Sequence, residues 1–216
     1  MKRLIFYDLD GTLVNTERDI AQAVNYMLAR LEADPLPSEV IRRFVGRGLL
    51  DLVTYSLKTD SPERLEQGTK LFEAYYREHL TDFSALYPDA QDVLAYFGGR
   101  KQAVLTNKPN PFATELLVAL GVAHRFVEII AGSDGYPRKP DPAGMLACMG
   151  QHGVDRRDVL LIGDSLIDVE TGRNGGVETV IVAHGFSDEA ELREAGPDLL
   201  VRNFQELLRL ARQQGW

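Results

Sequence analysis

The sequence of 216 residues contains one cysteine, Cys148, which excludes an internal disulfide and a structural zinc site built on cysteines. Its four histidines are scattered along the chain, without the spacing of metal ligands. No apolar run approaches the roughly 20 residues of a membrane span or the length that a signal peptide needs. These absences predict a soluble, cytoplasmic protein.

Positively charged residues are fewer than negatively charged ones: the chain has 24 Lys and Arg residues and 32 Asp and Glu residues, so its net charge is −8. A net acidic chain repels nucleic acid and anionic membranes, so neither is an expected partner. Hydrophobic residues make up 44% and charged residues 26% of the chain, which is ordinary for a globular protein with a sizeable core. Disorder, collagen and coiled coil are therefore not expected as the main class.

A helical segment follows the first predicted strand. The apolar run at residues 4–7 predicts a buried strand that ends in a loop. The spacing of apolar residues then becomes helical, and Thr16 with Asp19 resembles a capping box at the start of a helix. Pro62 predicts the start of a later helix, because proline is favoured at the first helical position. Residues 15–84 are therefore predicted to be all-helical.

The rest of the chain alternates between short apolar runs and helical patterns. Strands are predicted near 103–105, 127–131, 159–162, 180–182 and 199–201, and helices near 89–98, 111–120, 141–152, 166–174 and 203–213. Such alternation predicts an α/β fold in which helices cover both faces of a parallel, Rossmann-like sheet. We expect this core to comprise residues 1–14 and 85–216, with a helical cap inserted at 15–84.

Polar side chains follow four of the predicted strands. In an open parallel sheet, ligands bind beyond the carboxyl ends of the strands, so these side chains should converge. They belong to four stretches: Asp8-Leu9-Asp10-Gly11-Thr12, Thr106-Asn107-Lys108, Arg138-Lys139-Pro140, and Gly163-Asp164-Ser165 with Asp168. Crowded carboxylates repel each other and need a cation, and an all-oxygen ligand set suits Mg²⁺. A lysine and a threonine beside them can hold a phosphoryl group, whose charge must be neutralised.

Each stretch taken alone has a plain structural interpretation. Asp and Gly favour turns, so the first stretch can simply end a strand. Asp164 and Asp168 lie near a helix start, where the helix dipole favours acidic residues, and Lys139 can be a solvated loop lysine. Other phosphate and metal motifs are absent. The sequence has no Gly-x-x-x-x-Gly-Lys-Ser/Thr loop, and Gly11 follows too soon after the second Asp for an EF-hand.

The four stretches together, in this order along the chain, resemble the haloacid dehalogenase superfamily of phosphohydrolases. The resemblance covers almost the whole chain, including the helical cap after the first motif. Within the superfamily, the chain is most similar to the phosphatases of 2-phosphoglycolate and their near relatives. The resemblance implies a magnesium-dependent phosphatase that hydrolyses a small phosphomonoester through an aspartyl-phosphate. Two alternatives stay open: another substrate (a sugar phosphate, a nucleotide or pyrophosphate), or a non-catalytic binding protein on the same scaffold.

The resemblance also implies roles for individual side chains. Asp8 would be the nucleophile, and Asp10 the general acid and then the general base. Thr106 would hydrogen-bond a phosphoryl oxygen, and Lys139 would neutralise charge on the nucleophile and the phosphate. The implied Mg²⁺ ligands are Asp8, Asp10 through its backbone carbonyl, Asp164, and Asp168 at or just behind the ligand shell.

The candidate substrate contacts are the amide of Gly11, Asn107 and Arg47. Arg47 lies in a Gly-Arg-Gly loop of the cap, and arginine suits a substrate carboxylate. An exposed position on the cap surface is an equally open interpretation of Arg47, and turn roles are equally open for Asn107 and Lys108. The expected partner is a small phosphorylated metabolite, and the chain is expected to be a monomer or a homodimer.

Overall fold

The structure is a computed structural model that describes residues 1–216. The strands are β1 (Leu4–Tyr7), β2 (Val14–Asn15), β3 (Ala85–Leu86), β4 (Lys101–Leu105), β5 (Glu128–Ile130), β6 (Val159–Gly163), β7 (Glu178–Val182) and β8 (Leu199–Val201). The helices are α1 (Glu17–Arg30), α2 (Ser38–Arg42), α3 (Leu49–Leu57), α4 (Pro62–Glu78), α5 (Ala90–Tyr96), α6 (Phe112–Ala119), α7 (Ala143–His152), α8 (Leu166–Gly175), α9 (Glu189–Ala195) and α10 (Phe204–Gln214). Short 3-10 turns lie at Ala123–Arg125 and Arg156–Asp158.

Six strands form one sheet in the order β5-β4-β1-β6-β7-β8, and every neighbouring pair is parallel. The α/β prediction is therefore confirmed. Strand β1 lies between β4 and β6, so the loops that follow these three strands emerge side by side at one edge of the sheet. Such an edge is where open parallel sheets bind ligands.

Hydrophobic clusters cover both faces of the sheet, as the burial of β1 illustrates. Ile5 and Tyr7 belong to the larger cluster, whereas Leu4 and Phe6 belong to a second one, and all four side chains are fully buried. Successive side chains of a strand point to opposite faces, so one short strand contributes to both clusters. Full burial of such side chains is worth about 1.5–3 kcal/mol each, which holds the strand end beside the site in place.

Helices α1 to α4 form the cap, which lies between strands β2 and β3 in sequence. Helix α1 buries the apolar stripe that its sequence predicts, including Ile20, Val24 and Met27. Strands β2 and β3 pair antiparallel, so the chain leaves and re-enters the core through a two-stranded ribbon. We propose 15–84 as the extent of the cap, which begins at Asn15 within β2 and stops just before β3. None of the ten helices combines the length and apolar content needed to cross a bilayer.

The predicted capping box at the start of α1 is wrong. Thr16 is the N-cap residue, but its side chain makes no capping bond; its hydroxyl instead donates to Asp10 Oδ1 over 2.7 Å. The buried Asp19 carboxylate accepts the backbone amides of Phe83 (3.1 Å) and Ser84 (2.7 Å). Partners further away along the chain thus replace the local ones, and Asp19 ties the first cap helix to the segment that returns to the core.

Candidate active site

Asp8 follows β1 directly and forms a buried ion pair. Lys139 Nζ lies 2.8 Å from Asp8 Oδ1 and 2.6 Å from Asp168 Oδ1, so one ammonium group bridges two carboxylates. Burial raises the pKa of Asp8 to about 7; the Lys139 ammonium opposes this rise, and the Asp168 carboxylate adds to it. Burial lowers the pKa of Lys139, but the two carboxylates more than offset this, so Lys139 remains charged.

Asp164 completes a cluster of three buried carboxylates. One oxygen of each of Asp8, Asp164 and Asp168 lies within 4.8 Å of the others. Burial, followed by the charges of Asp8 and Asp168, raises the pKa of Asp164 well above its ordinary value. The Thr12 hydroxyl and the Phe186 amide each donate to Asp164 over 2.8 Å and hold its orientation. One ammonium group leaves the cluster negatively charged, so this all-oxygen donor set fits Mg²⁺.

Glycines make room for the Asp164 carboxylate. A Cβ atom at Gly11 or at Gly185 would collide with it. Gly11 has a φ of +88°, a conformation that side chains disfavour. The Gly11 amide, a predicted substrate contact, donates to the Val14 carbonyl over 2.9 Å. The turn therefore already uses this amide, and the packing requirement is a sufficient reason for glycine at this position.

Asp168 has little free bonding capacity. Its Oδ1 accepts from Lys139, and its Oδ2 accepts the Ser165 hydroxyl over 2.5 Å and the Ser165 amide over 3.1 Å. Ser165 and Asp168 form a capping box at the start of α8. Both carboxylate oxygens of Asp168 thus accept hydrogen bonds, one of them from the Lys139 ammonium, which helps to orient that lysine.

Asp10 lies at the junction of core and cap. Lys108 Nζ donates to Asp10 Oδ1 over 3.0 Å and to the Tyr76 hydroxyl of helix α4 over 2.8 Å. Thr16 donates to the same Asp10 oxygen. Burial lowers the pKa of Lys108, but Asp10 and Tyr76 more than offset this, so the lysine is cationic. Asp10 is therefore held by one cation of the core loop and one hydroxyl group at the base of the cap.

Thr106 and Asn107 follow β4 and are both buried. Thr106 Oγ1 accepts the Lys108 amide over 3.1 Å, which leaves its hydroxyl hydrogen free to donate. The Asn107 side chain bonds three backbone groups: it donates to the carbonyls of Gly46 (2.9 Å) and Lys139 (3.0 Å) and accepts the Lys139 amide (2.8 Å). Its amide group thus fixes the Lys139 loop and a cap loop instead of pointing at a ligand.

The cap loop with Arg47 lies over the site. A cavity of about 400 Å³ is lined by the carboxylates of Asp8, Asp10 and Asp164 and, on the cap side, by Arg47 and its neighbours. Arg47 itself is exposed, and its backbone carbonyl accepts Arg138 Nη1 over 2.9 Å. The cap thus contributes positive charge to the rim of a cavity whose floor is acidic.

Comparison with known proteins agrees with this geometry. Residues 5–182 match the model of a family described as haloacid dehalogenase-like hydrolase. The chain belongs to this family. The motif resemblance is therefore confirmed, and the chain is a hydrolase.

Similar proteins match this haloacid dehalogenase-like hydrolase over nearly its whole length. It is 34% identical over 216 residues to a phosphoglycolate phosphatase of Haemophilus influenzae, which covers 95% of the chain and 96% of that protein. It is 33% identical over 222 residues to phosphoglycolate phosphatase 1 of Pseudomonas aeruginosa, and this match covers 99% of the chain and 81% of that protein. The crystal structure of a predicted phosphoglycolate phosphatase from Haemophilus somnus superposes with a TM-score of 0.92 at 27% identity. This match covers 97% of the chain and 98% of that protein.

Sequence reasoning about this haloacid dehalogenase-like hydrolase missed several contacts around the site. It assigned no role to Thr12, which orients Asp164, or to Tyr76, which contacts Lys108. Thr12 belongs to the first motif, so its position was a usable signal. The sequence gives no indication of the Tyr76 contact. The apolar spacing along α4 predicts that Tyr76 is buried, but it does not show which group its hydroxyl contacts.

Proposed function

We propose that the chain is a magnesium-dependent phosphatase that hydrolyses 2-phosphoglycolate or a closely similar small phosphomonoester. The observation that carries this proposal is the buried ion pair of Asp8 and Lys139 beside the acidic cluster, with Asp10 two residues further along the chain. An ionised carboxylate next to a fixed ammonium is suited to attack a phosphoryl group whose charge the same ammonium neutralises. The names of the relatives at 33–34% identity support the choice of 2-phosphoglycolate.

The proposed reaction has two phosphoryl transfers. In the first, an Asp8 oxygen forms a bond to phosphorus, the bond to the ester oxygen breaks, and Asp10 gives its proton to the departing alkoxide. In the second, Asp10 takes a proton from water, the water oxygen bonds to phosphorus, and the bond to Asp8 breaks to release inorganic phosphate. Lys139 neutralises the phosphoryl oxygens throughout, and the free hydroxyl hydrogen of Thr106 donates to one of them.

The Mg²⁺ ligands that we propose are the carboxylates of Asp8 and Asp164 and the backbone carbonyl of Asp10. We place Asp168 behind them, because it is fully buried and, unlike Asp8 and Asp164, does not line the large cavity. When bound, Mg²⁺ would neutralise the acidic cluster and the phosphoryl oxygens. Arg47, at the rim of the cavity, would attract the anionic ester from solution.

A phosphate-release screen tests this proposal. The panel is 2-phosphoglycolate, ethyl phosphate, sugar phosphates, a nucleotide, pyrophosphate and p-nitrophenyl phosphate, each with Mg²⁺ or with a chelator. We expect the highest kcat/KM for 2-phosphoglycolate and loss of release in the chelator. Preference for a sugar phosphate, a nucleotide or pyrophosphate would support a different substrate on the same mechanism. No release from any ester would support a binding protein.

Magnesium should stabilise the fold more at higher pH. Burial raises the pKa of Asp8 to about 7 and raises that of Asp164 as well, so the folded chain binds more protons than the unfolded chain in this range. Stability without metal therefore falls as pH rises through the raised pKa values, and a bound cation removes this loss. We expect the shift of Tm on adding Mg²⁺ to be larger at about pH 8 than at about pH 5. Equal shifts at both pH values would contradict a metal site built on these carboxylates.

A further inference from the structure

Lys108 is a buried cation to which the proposed mechanism gives no task. Its side chain is 5% exposed, and its ammonium contacts two partners, Asp10 and Tyr76. An ammonium group has three N–H donors. Nζ lies 3.0 Å from Asp10 Oδ1 and 3.3 Å from Asp10 Oδ2, so one N–H is shared between the two carboxylate oxygens. A second N–H serves the Tyr76 hydroxyl, and the third remains for a further acceptor.

A small cavity adjoins this ammonium. Its volume is about 40 Å³, and its lining combines Asp10 and Lys108 with apolar side chains of the cap and of α6, among them Phe44, Leu49 and Phe112. Such a volume has room for roughly three water-sized groups. Lys108 supplies the positive charge in this lining. The cavity therefore suits a short group that carries a negative charge.

The position of Asp10 determines which part of a substrate reaches the small cavity. In the proposed function, on which this inference rests, Asp10 protonates the leaving oxygen, so the leaving group must lie against Asp10. Lys108 Nζ lies 3.0 Å from Asp10 Oδ1. A carboxylate that is separated from the leaving oxygen by a single carbon would therefore lie within hydrogen-bonding reach of Lys108. We propose that Lys108 binds the carboxylate of a small 2-phosphorylated hydroxy acid and determines the specificity of the enzyme for it.

Arg47 is less suited to this contact, although its sequence context favours it. Its side chain is exposed at the rim of the larger cavity, where water screens the attraction between opposite charges. Lys108 is buried, so its charge acts on a nearby carboxylate with little screening. Arg47 can attract any anionic ester, whereas Lys108 can distinguish esters that differ only in the leaving group.

The test compares two esters that differ in one group. 2-Phosphoglycolate carries a carboxylate where ethyl phosphate carries a methyl group. The measured quantity is the ratio of their kcat/KM values. A substitution that disturbs Asp10 or the phosphoryl site lowers both values by a similar factor, and this factor cancels in the ratio. The variants are Lys108→Gln, which keeps a hydrogen-bond donor without the charge, and Lys108→Met, which keeps the length of the side chain. Arg47→Ala is compared with them, and Lys70→Gln, an exposed lysine of the cap, is the control.

We expect the ratio to favour 2-phosphoglycolate in the wild type and to fall about 50-fold in both Lys108 variants, the value of one buried charge-assisted hydrogen bond. It should be unchanged in Lys70→Gln and should fall far less in Arg47→Ala than in the Lys108 variants. An unchanged ratio in whichever Lys108 variant folds, or a fall in Arg47→Ala alone, overturns the inference while the phosphatase activity stands. If the wild type hydrolyses neither these esters nor any other phosphate ester, the proposed function fails, and the inference fails with it.

Discussion

Asp8→Asn should abolish turnover, with a loss of at least ~10⁴-fold in kcat for every phosphate ester. The neutral amide oxygen cannot form the acyl phosphate, because no lone pair of comparable nucleophilicity remains at that position. The amide nearly matches the carboxylate in size, so the packing against Lys139 is retained. The measurement is phosphate release at saturating substrate and Mg²⁺, with Asp155→Asn, an exposed aspartate, as the control.

A second measurement separates loss of the nucleophile from loss of the fold. Burial raises the pKa of Asp8 to about 7, so ionised Asp8 destabilises the metal-free protein at about pH 8. Asp8→Asn removes that charge and should raise Tm in chelator at this pH, although it inactivates the enzyme. Retained turnover would disprove the assignment of Asp8 as nucleophile. Inactivation together with a lower Tm would point to a structural role instead.

Lys139→Met should lower kcat by roughly 10³-fold and also destabilise the protein. Without the ammonium, Asp8 and Asp168 remain buried with no cation between them, and breaking a buried ion pair costs about 3–5 kcal/mol. The kinetic loss has a separate cause, since charge on the phosphoryl oxygens is no longer neutralised as the bond to the leaving group breaks. Steady-state kinetics and urea unfolding measure the two effects.

Magnesium provides a check on this second prediction. A bound cation compensates part of the charge in the acidic cluster, so Mg²⁺ should recover part of the stability of Lys139→Met but should not restore its kcat. Lys101→Met, an exposed lysine at the start of β4, is the matched control and should behave as wild type in both measurements. A Lys139→Met variant with wild-type kcat would mean that Lys139 does not act on the phosphate.

Much of the fold could be predicted because its signals are local. Short apolar runs alternate with helical patterns after residue 88, and such alternation is compatible with few arrangements other than a covered parallel sheet. The same reasoning brought Asp8 and Asp164 together, since they directly follow the neighbouring parallel strands β1 and β6. Lys139 was placed at the same edge of the sheet, and the long loop after β5 carries it to Asp8. Helix α9 (Glu189–Ala195) was missed, because a short polar helix has no apolar stripe that a periodicity search detects.

Side-chain partners across long sequence separations could not be predicted in this way. Thr16 and Asp19 have the spacing of a capping box, but Asp10 and the chain near Ser84 offered them better partners. Asn107 has the ordinary sequence context of a turn, yet its amide joins the Lys139 loop to the cap. Such bonds depend on which loops the fold brings together. Local sequence patterns do not show the distances between loops that are far apart along the chain.

The amino-acid sequence by itself therefore determined the class of fold, the insertion of a cap, and the set of acidic and basic groups at one edge of the sheet. Hydrophobic periodicity and chain order suffice for these conclusions, because strand burial and parallel pairing follow from them. The family resemblance implied that Lys139 pairs with Asp8, but only the tertiary structure decided the other pairings: Lys139 with Asp168, and Lys108 with Asp10 and Tyr76. Which buried charges pair depends on distances of a few ångströms between them, and these distances are set only when the cap packs against the core.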